Sequence, residues 1–163
     1  MLAFLFLFDT KVISGPLTMA ASTGKKILVV RVGPYTVKKY DVAVGSKAHP
    51  TPTGKFTVRH MVWNPAWVPP DANWAKGEQP AAPGDPNNPM RAVKIFFQEP
   101  DYDIHGTNNP DSIGEAASHG CIRMNESDAV ELARDWAVKE WNAGRLPADR
   151  PAGSRRSRQA TTG

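Results

Sequence analysis

A chain of 163 residues is about one domain long, and its 40% apolar and 22% charged residues are a globular composition. No apolar run approaches the ~18 residues of a membrane span. The single cysteine, Cys121, excludes an intramolecular disulfide and a Cys₂His₂ zinc module. The net charge of +4 resides in residues 143–163, where Arg145, Arg150, Arg155, Arg156 and Arg158 face only Asp149. The remainder is neutral, so no nucleic-acid partner is expected.

In chain order, Leu2–Phe8 is a short apolar stretch, and Thr18-Met19-Ala20-Ala21 supplies small residues. This is a weak export signal, since no Lys or Arg precedes the stretch and Asp9 and Lys11 follow it. Met19 as the first residue fits equally well. Residues 1–25 are therefore expected to be an N-terminal extension, 26–144 the folded domain and 145–163 a basic disordered tail. Lys26–Val32 reads as a strand, Gly33-Pro34 as a turn, and Tyr35–Val44 as a second strand. After the turn Thr51-Pro52-Thr53-Gly54, the alternation of Phe56, Val58, His60 and Val62 predicts a third strand and a β meander.

Residues 64–90 contain seven prolines, a density that neither a helix nor a central strand tolerates. Trp67 and Trp74 within them argue for a packed loop, a lid or an anchored insertion. Strands return at Ala92–Phe97 and Tyr102–His105, and Gly106 to Ser118 is polar loop. One helix follows, capped by Asn125, with Glu126 and Asp128 at its positive end. Its stripe is Ala129, Ala133, Trp136, Ala137 and Trp141, and Gly144 terminates it.

Cys121 lies in Ser118-His119-Gly120-Cys121-Ile122-Arg123, polar surroundings unlike those of a core-filling cysteine. A thiol of pKa near ~8.5 needs a basic neighbour to act as a nucleophile, and His105 or His119 could serve. Gly120 lets a substrate carbonyl approach the backbone, leaving amide N–H groups as an oxyanion hole. A zinc set of His105, His119 and Cys121, with His49 or His60, is the alternative, although its spacing matches no standard pattern.

Ile104-His105-Gly106-Thr107, Ile113-Gly114 and Ser118-His119-Gly120-Cys121-Ile122-Arg123-Met124 together resemble the signature of L,D-transpeptidase (YkuD-type) catalytic domains. Val44-Gly45, Thr51-Pro52-Thr53-Gly54-Lys55-Phe56, Pro65-Ala66-Trp67, Pro83-Gly84 and Asn88-Pro89 extend the resemblance over about residues 26–140. It implies a mostly β fold, a curved sheet or β-sandwich of the L,D-transpeptidase type with one main helix after the catalytic loop. It also implies a cofactor-free, carbapenem-sensitive enzyme of the cell envelope that acts on peptidoglycan stem peptides. Its cysteine displaces a terminal D-alanine and passes the acyl group to an acceptor amine.

Carried onto this sequence, Cys121 is the nucleophile and His105 the base and acid, oriented by the Gly106 carbonyl. Gly120 and Cys121 supply the oxyanion amides beside His119, while Ser118 and Arg123 line the site. Arg123 could instead pair with Asp128 or Glu126. Water as acceptor would give an L,D-carboxypeptidase, and loss of activity a cell-wall binding domain. Two departures stand out. Arg91 follows Met90 where the family has a glycine, and Gly144-Arg145-Leu146-Pro147 replaces a final strand, which would leave a sheet edge unpaired.

Overall fold

The computed structural model describes residues 15–142. Nine strands and one helix follow in chain order: β1 (Leu17–Ser22), β2 (Ile27–Val32), β3 (Tyr35–Asp41), β4 (Val44–Gly45), β5 (His60–Trp63), β6 (Val93–Gln98), β7 (Tyr102–His105), β8 (Ala116–Ser118), β9 (Ile122–Arg123) and α1 (Glu126–Asn142). They form an antiparallel sheet β1-β2-β3, a parallel pair β4-β8, and a four-stranded sheet β5-β6-β7-β9. The molecule is mostly β with one main helix, as the sequence predicts.

Alternation explains why β2 is central to the first sheet. Leu28, Val30 and Val32 are buried, while Arg31 on the other face is exposed. Its flanking strand β1 begins at Leu17, ahead of the domain start read from the sequence. Leu17 and Met19 pack against the core, a two-residue alternation too short to register as a strand signal. The expected disordered tail, the Gly144 terminus and the missing final strand lie outside the described residues, as does Leu2–Phe8.

The β meander requires correction. The segment after Gly54 is strand only over β5, which pairs with β6 rather than β3. The fourteen residues between β4 and β5 are too many for a hairpin connection, so the chain crosses to the other sheet. Residues 106–118, read as loop, contain the short strand β8. Such brief strands carry no usable period.

Both sheets and α1 share one core. Leu28, Tyr40, Val42, Val44, Val93, Ile95, Ile104, Ile122 and Met124 meet Ala129, Leu132 and Ala133 of the helix. The observed stripe, Ala129, Leu132, Ala133 and Trp136, follows the i, i+3, i+4, i+7 pattern and includes Leu132, which was not predicted, while the side chains of the predicted Ala137 and Trp141 lie outside those described. The Ala129 N–H donates to the Asn125 carbonyl, in keeping with a helix that starts after Asn125. Glu131 ties α1 to β3, accepting from Lys38 Nζ at 2.6 Å and from the Tyr40 hydroxyl at 3.0 Å. The Lys38 pair is exposed, so packing rather than charge holds the helix. Leu132→Ala is expected to cost about 2–5 kcal/mol in urea unfolding; a loss below ~1 kcal/mol would mean that α1 is not anchored there.

Candidate active site

Two short strands bring the candidate residues together. β9 runs parallel to β7, with Ile104 opposite Ile122 and His105 opposite Arg123. On its other side, Arg123 and Ala43 exchange N–H···O bonds of 2.9 Å, and the Met124 N–H donates to the His105 carbonyl at 2.9 Å. Cys121, the residue before β9, is thus fixed beside the end of β7. A carboxylate oxygen of Asp103, a ring nitrogen of His105 and Cys121 Sγ all lie within 4.8 Å of one another.

His105 is 2% exposed, and its Nδ1 hydrogen-bonds the Gly106 carbonyl. A carbonyl only accepts, so Nδ1 carries the proton and the Nε2 lone pair is free to act as a base. Burial holds the ring below the usual histidine pKa; Asp103 opposes this, while Arg123 and Lys94 reinforce it. Burial pushes the Cys121 thiol up to about 11, with the Asp103 charge adding to the effect. At neutral pH the pair is therefore thiol and imidazole. In that state Cys121 Sγ donates to the Asp101 carbonyl at 3.4 Å.

The loop before Cys121 is locked by Ser118. Its buried Oγ donates to the Cys121 carbonyl at 2.5 Å and accepts from the Gly120 N–H at 3.1 Å. The Gly120 amide is thereby occupied, while the Cys121 N–H has no partner among the described residues. Ser118 shapes the loop from within. Gly120 sits at φ +114°, and a Cβ there would come within 2.5 Å of the Tyr102 ring. Only glycine satisfies both conditions.

His119 lies outside the Asp103–His105–Cys121 cluster. Its ring stacks on Trp74 at 3.9 Å and tilts against His49 at 4.9 Å, and burial lowers its pKa. The Cys–His₂ zinc alternative is not assembled, since the metal-capable cluster among the described residues is Asp103, His105 and Cys121. Arg123 makes no ion pair among the described residues. The Glu126 expected as its partner is taken by Arg91, at 3.0 Å from Nε and 2.8 Å from Nη2. Arg91 adopts φ +55°, the left-handed conformation that the family's glycine would favour.

The proline-rich segment is a packed lid. Buried Asn88 organises it, donating to the carbonyls of Pro65 at 2.8 Å and Ala82 at 3.1 Å and accepting from the Met90 N–H at 2.9 Å. Trp67 and Ala81 bridge its two arms. Beneath it lies a cleft of about 260 Å³, with Cys121, His105, Asp103 and Arg123 on one side and Trp67, Val68, Trp74 and Met90 on the other. Asp103, Lys94 and Trp74 were not among the candidates from the sequence. Two-residue periodicity from His105 would have found Asp103, because both point to one face of β7.

Residues 18–141 match the family model of the L,D-transpeptidase (YkuD) catalytic domain. The chain belongs to this family. It is 36% identical over 118 residues to YkuD of Bacillus subtilis, a match covering 72% of this chain and 59% of that protein. The chain thus spans about three fifths of that relative's length. An L,D-transpeptidase from Mycobacterium smegmatis shares the fold at a TM-score of 0.59 and 18% identity, over 72% of this chain and 53% of that one. The catalytic domain of the E. faecium L,D-transpeptidase does so at 0.56 and 17%, over 74% and 89% respectively.

Alkylation of Cys121 by iodoacetamide is expected to accelerate with pH toward a midpoint near 11. A midpoint near ~8.5, that of a free thiol, would contradict the buried-thiol description. Gly120→Ala is expected to displace Tyr102 and lower the melting temperature by several degrees, a shift readable by circular dichroism.

Proposed function

We propose that this domain is a peptidoglycan L,D-transpeptidase working through an acyl-enzyme on Cys121. The observation that carries the reading is the Cys121–His105–Gly106 arrangement at the floor of a lidded cleft. Because the thiol is protonated at rest, its proton passes to His105 Nε2 as Sγ attacks the carbonyl of the third stem residue. The oxyanion meets the Cys121 N–H. The imidazolium then protonates the departing D-alanine nitrogen, the C–N bond breaks, and a thioester remains. An acceptor amine gives a proton to His105 Nε2 and attacks the thioester carbonyl, and the sulfur leaves and recovers that proton.

Arg123 faces this cleft without an acidic partner, suiting a stem-peptide carboxylate. Val68, 72% exposed, and Trp74 offer apolar surface at the mouth. The substrate class puts the protein in the cell envelope, outside the cytoplasmic membrane. No helix among the described residues is long and apolar enough to cross a membrane.

Incubation with a purified tetrapeptide muropeptide, followed by mass spectrometry, tests the reading. Expected are loss of D-alanine, a cross-linked dimer and a Cys121 adduct with a carbapenem. All three should be absent in Cys121→Ala, and D-alanine loss should be at least ~10²-fold slower in His105→Ala. D-alanine loss without a dimer would identify water as the acceptor. A folded wild type that releases nothing would support the binding-domain alternative.

A further inference from the structure

Asp103 is 2% exposed, yet it lies at the catalytic end of β7, one alternation before His105. Lys94, which pairs with His105 in the β6–β7 register, reaches diagonally to place Nζ 3.1 Å from Asp103 Oδ2. The other oxygen, Oδ1, is buried and has no hydrogen-bond partner. A buried carboxylate oxygen without a donor is costly to keep, and the nearest chemistry is the acid–base pair itself, within 4.8 Å.

The charges around that pair sharpen the point. Acyl transfer places a positive charge on His105. The charged groups acting on that ring are Lys94 on β6, Arg123 on β9 and Asp103 on β7, two cations and one anion. The orienting Gly106 carbonyl offers only a dipole. Without Asp103 the imidazolium would form facing two cations, at a ring that is itself buried.

We propose that Asp103, anchored by Lys94, is a positioning residue whose buried carboxylate is the counter-charge to the His105 imidazolium formed during acyl transfer. The inference rests on the transpeptidase reading for its catalytic consequence. Asp103 exchanges no proton. The thiol proton moves to Nε2 as the S–C bond forms, then on to the leaving nitrogen as the C–N bond breaks. Asp103 stabilises the interval between these transfers. The same negative charge disfavours a Cys121 thiolate. Asp103 therefore promotes proton transfer within the pair and suppresses free thiolate in the resting protein.

These two consequences have opposite signs, which a purely structural role does not produce. In Asp103→Asn, the rate of Cys121 acylation by the tetrapeptide or a carbapenem should fall about 10- to 100-fold, as expected for losing one opposite charge at this range. Alkylation of the same thiol by iodoacetamide at pH 8 should rise several-fold. The double variant Lys94→Met/Asp103→Leu removes both charges while keeping apolar bulk, a replacement that buried ion pairs commonly tolerate, and it should show the crossed pattern in weaker form, because Lys94 acts on both groups with the sign opposite to Asp103. Titration of the His105 ring by ¹⁵N NMR should show its protonation midpoint shifted down in Asp103→Asn.

Acylation and alkylation falling together in a folded variant would overturn the inference, as would acylation unchanged within about twofold or an unmoved His105 midpoint. If the wild type is not acylated at all, the transpeptidase reading fails. The NMR and alkylation results still decide whether Asp103 is the counter-charge to His105.

Discussion

Two residues of parallel pairing hold this site together. β9 is only Ile122 and Arg123, yet it is bonded on one side to β7 and on the other to Ala43. This double pairing sets the reach of the Cys121 side chain to His105, because Cys121 directly precedes the ladder. Ile122 and Met124 on either side of Arg123 are buried in the common core, so core packing also maintains catalytic alignment. Site geometry and global stability are coupled through the same backbone bonds.

The electrostatics suit a nucleophile that is activated only on demand. A preformed thiolate needs a cationic or polar setting, whereas here burial and Asp103 both favour the neutral thiol. His105 is likewise neutral, with its Nδ1 proton committed to a carbonyl and its Nε2 lone pair free. Such a pair gains reactivity when a substrate carbonyl completes the proton-transfer path. The lid contributes by walling one side of this cleft. It needs no regular structure for that, because Asn88 satisfies the carbonyls that a proline-rich segment leaves unpaired.

Departures from the family pattern are absorbed locally. Arg91 occupies a left-handed conformation where a glycine would be at ease, a strain of about 1–2 kcal/mol. Its guanidinium offsets part of this by pairing with Glu126 at the start of α1. That pairing also leaves Arg123 free to face the cleft.

Much of the fold could be read directly. The long apolar or alternating runs became β2, β3, β6 and β7, and the 3.6-residue stripe became α1, because burial of one face imposes its period on the residues that provide it. That Cys121 and His105 would meet in space was legible from their distinctive flanking motifs. Strands of two or three residues were not, since β4, β8 and β9 owe their existence to partners distant in sequence. The sheet chosen by β5, the occupation of the Gly120 amide by Ser118, the stacking of His119 on Trp74, and the burial of Asp103 beside the acid–base pair were decided by tertiary structure alone. Each depends on which segments become neighbours in space, and a linear pattern carries no distances between segments.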